Sequence, residues 1–383
     1  MEGSYSCLNN MNGGKQFKVG IAGYGIVGEK RKKYIDQNEA MEVVAICDIR
    51  FQNNLKLIEN ASLKYDYHKI EQKMQNNMVI KNAGINYYRD YRKMLSNESL
   101  DILFVCLPNY SASEATILGL KNNCHVFCEK PPGRSLEEIQ SVVECSKNSP
   151  SLKLKYGFNH RYHDSVKSAR KIIDSKKLGD VVSFRGVYGK SSIVPYKTGW
   201  RSQKKYAGGG ILLDQGIHML DLVRYFSNDY EEIYSFIDNS YWNHDVEDNA
   251  FVLMKNKYGQ IASLHSTATQ WQHRFRLEII LQEGLLELSG ILSGSKSYGS
   301  ERLKVIKRSK EQSNGSQSEN TLTFLEDNSW KEEIDEFADC IINNKQIVNG
   351  TVEDALKVMQ MVFEIYKADK SWWSSFNSDD KGK

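Results

Sequence analysis

The stretch Gly23-Tyr24-Gly25-Ile26-Val27-Gly28 constrains this chain more than any other. It follows a short apolar run, Phe17 to Ala22, and opens a segment, Val27 to Gln37, that reads as a helix. About 20 residues later the next apolar run, Glu42 to Cys47, ends at an acid, Asp48. Each residue type has a physical reason. Gly23 permits a tight turn. Gly25 lets the backbone approach a pyrophosphate on the helix N-terminus, and Gly28 allows helix and strand to pack closely. Asp48 can accept hydrogen bonds from ribose hydroxyls. A carboxylate there repels a 2′-phosphate and favours NAD, whereas Arg50, two residues on, can accommodate that phosphate and leaves NADP open. Tyr24, Ile26, Val27 and Ile49 belong to the same expected contact shell. The competing reading is a glycine turn in an unrelated α/β domain, which would need neither the strand, the helix nor the acid.

The first half keeps this rhythm. Asp101 to Leu107 is an apolar run stopped by Pro108, Ser111 to Lys121 is helical, and His125 to Cys128 is a strand ended by Glu129-Lys130-Pro131-Pro132. Near-continuous apolar strands separated by helices predict a parallel sheet covered on both faces. That is a doubly wound α/β domain, expected over 17–150, with ligands at the carboxyl ends of its strands. Leu63 to Asn82 breaks the pattern and reads as a polar surface excursion. In the second half, Lys153 to Phe158 reads as a strand and His163 to Ser175 as a helix. Strand then follows strand: Val181 to Tyr188, Glu232 to Ile237, Ala250 to Met254, Gln260 to Ser266, Arg274 to Leu281, Gly284 to Leu288 and Leu303 to Lys307. This succession predicts a large, mostly antiparallel open sheet in a second domain, 151–370. Ser309 to Asn320 reads as a mobile loop. Asn328 to Asn343 and Thr351 to Lys367 read as closing amphipathic helices, the latter started by Thr351 with Glu353 and Asp354 in its first turn. Residues 1–16 and 371–383 read as tails.

Bulk properties remove several classes. With 383 residues, 40% apolar and 26% charged, the chain is globular in composition and long enough for two domains. No run approaches the roughly 20 apolar residues of a membrane span. The first residues lack an apolar signal-peptide core, which predicts a cytoplasmic protein. A net charge of +3 without an arginine stripe argues against nucleic acid as a partner. Seven scattered cysteines fit reduced thiols. Cys124 and Cys128 have no second Cys or His pair at matching distance, so no metal site is expected.

Two segments carry candidate chemistry. Glu129-Lys130-Pro131-Pro132 falls where the nicotinamide end of the crevice belongs. Lys130 there either donates hydrogen bonds to the nicotinamide ribose and a substrate hydroxyl, or is a surface lysine on a turn. In the run Gly208 to Leu222, Asp214 and His218 are four apart and would share one face of a helix that is apolar elsewhere. Buried polar groups are costly unless used. Either this is a satisfied Asp–His pair in the core, or His218 is the base that takes an alcohol proton near neutral pH.

Together these motifs resemble the Gfo/Idh/MocA oxidoreductase family, which includes glucose–fructose oxidoreductase and inositol dehydrogenase. The match is carried by Gly23 to Gly28, Asp48, Glu129-Lys130-Pro131, Trp200-Arg201 and the triple glycine leading to Asp214 and His218. It continues in Ser329 to Phe337 and Gly350 to Leu356, and so spans about residues 17–370. The resemblance implies a Rossmann domain followed by an α/β domain whose open sheet makes dimer or tetramer contacts. It implies that Lys130 holds cofactor and substrate, Asp214 binds a substrate hydroxyl, and His218 is the acid/base. Leu107-Pro108-Asn109-Tyr110 matches the family's loop after the fourth strand, with Asn109 a cofactor contact. Glu129 joins the cofactor shell, Arg161 lies near the substrate, and Lys197, Trp200 and Arg201 wall it. The implied reaction is reversible hydride transfer between nicotinamide and a secondary alcohol of a sugar, sugar phosphate or nucleotide sugar. Arg201, Lys197, Lys204 and Lys205 either meet an anionic substrate or form a solvated charge run. Trp271, Arg274 and Arg276 either line the pocket mouth or form the wet face of a strand. A non-catalytic NAD-binding sensor and a reductase of a non-sugar carbonyl are the alternative functions.

Overall fold

The computed structural model describes residues 16–51, 84–193, 199–292, 298–308 and 317–378. The excursion Leu63–Asn82, Lys197 and nearly all of the N-terminal tail lie outside these residues. Among them, β1 (Phe17–Ala22), β2 (Met41–Cys47), β3 (Asn86–Tyr88), β4 (Ile102–Val105), β5 (His125–Glu129) and β6 (Leu154–Gly157) form one six-stranded parallel sheet. Its order is β3-β2-β1-β4-β5-β6. The order reverses between β1 and β4, which opens a crevice at their carboxyl ends. Helices α1 (Ile26–Ile35), α2 (Tyr91–Asn97), α3 (Asn109–Lys121) and α4 (Leu136–Lys147) alternate with these strands. Every residue of β4 is buried, as its unbroken Ile-Leu-Phe-Val run requires.

The second sheet has eight strands in the order β14-β13-β12-β11-β7-β10-β9-β8. They are β7 (Val181–Ser191), β8 (Glu232–Asp238), β9 (Asn249–Lys255), β10 (Ile261–Gln270), β11 (Arg274–Leu281), β12 (Gly284–Ser289), β13 (Glu301–Arg308) and β14 (Gln317–Phe324). Only β7 and β10 pair in parallel. One face packs under α5 (Asp164–Asp174), α7 (Ile217–Phe226) and α9 (Val352–Ala368). The short helix α6 (Lys204–Ala207) precedes α7, and α8 (Ser329–Ile342) precedes α9. The other face is open. Tyr234 and Phe236 on β8 are 69% and 78% exposed, and Phe251, Leu253 and Ile261 continue the apolar patch.

The domain boundary differs from expectation in two ways. Leu154–Gly157 is not the start of the second half but the sixth strand of the first sheet, pairing in parallel with β5. Helix α8 also returns to the first sheet, where Phe337 packs edge-on against Phe104 and Phe127, at 6.1 and 5.5 Å between ring centroids. A parallel sheet needs both faces covered, and the Ile334-Phe337-Ala338 side of α8 covers part of one. Strand β14 occupies residues expected to be loop. Its sequence is polar because it is an edge strand, held by its ladder to β13 rather than by burial. Residues 371–378 are not a tail. They lie in a further helix, α10 (Lys370–Ser378), whose Phe376 is buried against Tyr366. Thr351 caps α9 as its sequence predicts, in a reciprocal box with Asp354. Among the described residues no helix is long and apolar enough to cross a membrane.

Candidate active site

The glycine motif sits where β1 turns into α1. Gly23 has φ +92°, and a side chain there would strike the Cys106 backbone. One at Gly28 would strike the Gly23 carbonyl. A Cβ at Gly25 meets nothing within 4 Å. The loop is therefore packed tight from below and open above, and no side chain caps α1. An anion can settle there on the helix N-terminus. Asp48 closes the loop's far end. Its Oδ2 accepts from the Tyr24 amide at 2.9 Å, and its Oδ1 accepts from Arg50 Nε at 2.8 Å. Arg50 also donates to the Tyr24 carbonyl at 2.6 Å. Ile26 and Ile49 stand 67% and 70% exposed beside this loop, an apolar margin suited to a flat base. Val27 lies in the first turn of α1, and Leu107-Pro108 runs directly beneath Gly23 into α3. These residues fit a dinucleotide. The Asn109 side-chain amide donates to the Ala207 carbonyl at 2.7 Å, tying α3 to α6.

Glu129 ends β5 and accepts from Arg31 Nε at 2.6 Å. Arg31 is fully buried on α1 and reaches Glu333 of α8 at 2.7 Å. The residue before Lys130 is thus anchored to the nucleotide-binding helix. Lys130 follows with a cis bond to Pro131. Its Nζ donates to the main-chain carbonyl of Asp214 at 2.6 Å.

Asp214 and His218 do not share one regular helical face. Leu212–Gly216 is a π-helical turn, and α7 begins at Ile217. Among the described residues no hydrogen bond joins Asp214 to His218, so of the two alternatives the satisfied core pair is not the one observed. Such π-helical turns recur at functional sites. The segment is braced by a buried acid, Glu247, which accepts from the Gly210 and Leu212 amides at 2.7 and 2.9 Å and from Tyr366 at 2.7 Å. Gly210 is required because a side chain there would collide with the Glu247 backbone.

Asp214 instead faces cations. Lys190 Nζ on β7 lies 2.8 Å from its Oδ2, and Arg201 Nε lies 3.7 Å from its Oδ1. Burial alone would raise the Asp214 carboxyl, yet Lys190, Arg201 and Lys130 hold it far below the ordinary carboxylate range. Burial lowers Lys130, opposed by Asp214 and Glu129. His218 is buried with its ring stacked on His160 at 3.8 Å and 15°. Burial, then His160, Lys130 and His163, push His218 well below the usual histidine value. Its Nδ1 is sealed without a partner among the described residues, so proton exchange falls to Nε2. His160 in turn meets Tyr188 and Asn159, each at 3.2 Å.

Sequence reasoning missed Lys190, His160 and Tyr188. The signal for Lys190 was a charge on the inward face of an alternating strand, in step with Phe184, Gly186 and Tyr188. His160 directly precedes Arg161 in the buried turn Asn159–Tyr162. Arg161 itself lies in a buried ion-pair array. Its guanidinium is buried on Asp221, at 2.9 and 2.6 Å, and on Asp354 at 3.0 Å. Lys204 also turns away, bonding the Phe376 carbonyl. Trp200 stays at the site margin, beneath Arg201 and 6.5 Å from Tyr110. Arg276 pairs with Glu278 along β11 and with Glu287 across to β12, on the wet face. Among the described residues no group of three or more His, Cys, Asp or Glu can hold a metal.

Two family models match the chain. One, described as an oxidoreductase family with an NAD-binding Rossmann fold, covers residues 17–156. The other, the GFO/IDH/MocA C-terminal domain, covers 166–287. The chain belongs to the Gfo/Idh/MocA oxidoreductase family. Its parallel sheet is an NAD-binding Rossmann domain. It is 30% identical to D-glucoside 3-dehydrogenase of Escherichia coli K12 over 211 residues, 54% of this chain and 53% of that protein. It is 23% identical to inositol 2-dehydrogenase of Salmonella typhimurium LT2 over 282 residues, 73% and 75% of the two chains. The chain spans 53% and 38% of the length of the first two curated relatives, the second being levoglucosan dehydrogenase of Pseudarthrobacter phenanthrenivorans. In fold it resembles a solved levoglucosan dehydrogenase in complex with NADH, with a TM-score of 0.75 at 18% identity, covering 94% of this chain and 98% of that one.

Proposed function

We propose that this protein is an NAD(P)-dependent dehydrogenase or reductase acting on a secondary alcohol or ketone of a sugar-type substrate. The observation that carries the reading is the convergence of Lys130, Asp214 and the buried, stacked His218 beside the open glycine loop. The Arg50 guanidinium lies against Asp48, so the acid dominates the adenosine end and NAD is preferred over NADP.

The dinucleotide, when bound, supplies the hydride acceptor or donor. His218 Nε2 takes the substrate hydroxyl proton, and burial keeps the imidazole neutral and ready to accept it. Lys130 has two donors left after its bond to the Asp214 carbonyl, and they stabilise the developing alkoxide. Asp214, held ionised by its cations, accepts from a neighbouring hydroxyl and fixes the sugar's orientation. Trp200 and Arg201 form the outer wall.

The same reading includes a homo-oligomer through the open sheet face, supported by the Tyr234, Phe236, Phe251, Leu253 and Ile261 patch. It includes a cytoplasmic location, supported by free Cys47, Cys106, Cys124, Cys128, Cys145 and Cys340. The test is nicotinamide absorbance with NAD and, separately, NADP against sugars, sugar phosphates and nucleotide sugars. Turnover that is faster with NAD is expected. Tight NADH binding without turnover on any of them would replace the enzyme by a sensor or a reductase of another carbonyl.

A further inference from the structure

We infer that His160 is a positioning residue whose ring fixes the plane of the His218 imidazole and so aims its Nε2 at the substrate hydroxyl. The inference rests on the reaction proposed above, with His218 as its acid/base. A histidine that moves protons is commonly oriented through its other ring nitrogen, by a hydrogen bond to a carboxylate or a carbonyl. His218 lacks that bond. Its Nδ1 is buried without a hydrogen-bond partner among the described residues. Asp214, four residues earlier, is engaged with Lys190 and Arg201 instead. Orientation must then come from contact with the faces and edges of the ring.

One face is covered by His160. The two rings lie 3.8 Å apart between centroids and within 15° of parallel, which is van der Waals contact across a face. Phe158 meets His218 edge-on at 6.5 Å, a looser contact. His160 is itself held from several sides. Asn159 Nδ2 donates to Ser329 Oγ at 3.2 Å, so its Oδ1 is the atom that accepts from His160 Nδ1, at 3.2 Å. His160 Nε2 is then left to accept from the Tyr188 hydroxyl on β7, also at 3.2 Å. The rings of Phe275 on β11 and His163 abut it at 6.0 and 5.5 Å. His163 in turn is bound to Glu301 of β13 at 2.7 Å. The plane of the base is thereby referred to three strands of the second sheet, through a turn that follows β6 of the first.

These bonds need only one proton on the His160 ring. Burial, then His163 and Lys130, push His160 well below the ordinary histidine value. A neutral ring suits the role. When His218 takes the substrate proton, its imidazolium lies against an uncharged face, whereas two imidazoliums in a stack would repel. The stack also keeps water off the face it covers, and burial is the main reason that His218 holds protons weakly. The other groups around the pair are Lys130, His163 with its partner Glu301, and Tyr188.

The test compares the wild type with His160→Ala and His160→Phe across pH. The probes are NAD with D-glucose, D-glucose 6-phosphate and UDP-glucose, and histidine NMR of the NADH-loaded protein. The His218 signal is the one lost in His218→Gln. In His160→Ala, kcat should fall by about 10- to 100-fold, as for a reacting group held about 1 Å out of place, with KM little changed. Its acid limb and the NMR titration of His218 should both rise toward the ordinary value of about 6.5 as water reaches the ring. His160→Phe keeps a flat ring and drops both nitrogens. It should recover most of the lost kcat and keep the limb low. Equal NADH affinity in all three proteins is the check on folding. Near wild-type kcat in His160→Ala overturns the inference. So does a loss carried by KM alone, which would make His160 a sugar contact. A His160→Phe variant as slow as His160→Ala also overturns it, because the role would then lie in the nitrogens. If the wild type turns over no probe, it is the reaction proposed above that has failed, and NMR still decides the platform. A His218 titration raised in His160→Ala and restored in His160→Phe supports it, and one unchanged in His160→Ala overturns it.

Discussion

Two arrays of charge are anchored on α7 and the turn before it, and they are built differently. In one, Arg161 grips Asp221 with two nitrogens and Asp354 with a third, while Arg224 bridges Asp354 and Asp229 at 2.7 and 2.5 Å. Arginine and aspartate alternate from Asp221 to Asp229, and the array is closed in the sense that each arginine is matched by two acids. In the other, Lys130, Lys190 and Arg201 crowd one aspartate, the first through its main-chain carbonyl and the other two at its carboxylate. The first array joins the 3-10 turn Asn159–Tyr162, α7 and α9, and so holds the fold. The second surrounds one aspartate with cations and shifts its titration strongly, as happens where groups are set up for chemistry. A motif arginine and a motif aspartate look alike in sequence. What separates them is the surroundings: one array alternates cation and acid, and the other gathers several cations on a single aspartate.

The largest expected effect tests the open array. His218→Ala should lower kcat by roughly 10²- to 10⁴-fold while leaving NADH affinity unchanged. Near wild-type turnover would remove His218 from the chemistry. Arg161→Met tests the closed array and should act on stability instead. Removing it leaves Asp221 fully buried without its partner, a loss of roughly 3–5 kcal/mol in urea unfolding. Burial already pushes the Asp221 carboxyl up, opposed by Arg161. Without the arginine the folded state prefers the protonated acid still more strongly. The penalty should therefore be smaller near pH 4, where Asp221 can hold its proton, and grow as pH rises toward 7. Unchanged stability, with substrate affinity lost, would move Arg161 back to the substrate.

The contrast also marks how far the sequence could be read. The nucleotide loop was legible because its logic is local: three glycines, one strand, one helix and an acid at a set distance fix it without distant partners. Lys130, Asp214 and His218 were legible as residue types at the right points of the chain. Their geometry was not, because the π-helical turn at Leu212–Gly216 alters the face on which Asp214 lies. Lys190, His160 and the return of α8 to the first sheet depend on pairings across more than 20 residues of chain, as in the 24-residue separation of Lys190 and Asp214. Strand β14 was hidden for the opposite reason. It pairs through its backbone, and an edge strand's side chains need not be apolar.

A smaller effect sharpens the open array through pH. Burial lowers both His218 and His160, each also under the positive charge of Lys130. The base is then neutral at pH values where an ordinary histidine is half protonated. The acid limb of kcat/KM for alcohol oxidation should lie below the usual value of about 6.5. A limb at or above that value would mean that His218 is solvated or is not the base. Stability carries the same sign. Below about pH 6.5 the unfolded chain takes up protons that these buried rings refuse, so stability should fall with acid through that range.

The smallest effect separates the arrays most cleanly. Thr351 caps α9 by accepting from the Asp354 amide at 2.9 Å, and the Asp354 side chain accepts from the Thr351 amide at 3.1 Å. The same Asp354 carboxylate serves Arg161 and Arg224, which with its acceptor role at Thr351 hold it down to about 2 against its burial. Thr351→Ala removes the hydroxyl but leaves Asp354 and both arginines in place. It should cost about 1 kcal/mol of unfolding free energy, the worth of one cap, with kcat and KM unchanged. A loss of several kcal/mol would show that the cap orients Asp354 for the arginines, making helix start and ion-pair array one cooperative unit. A change in KM at constant stability would instead join the closed array to the open one through α7, and the division between a holding array and a working array would fail.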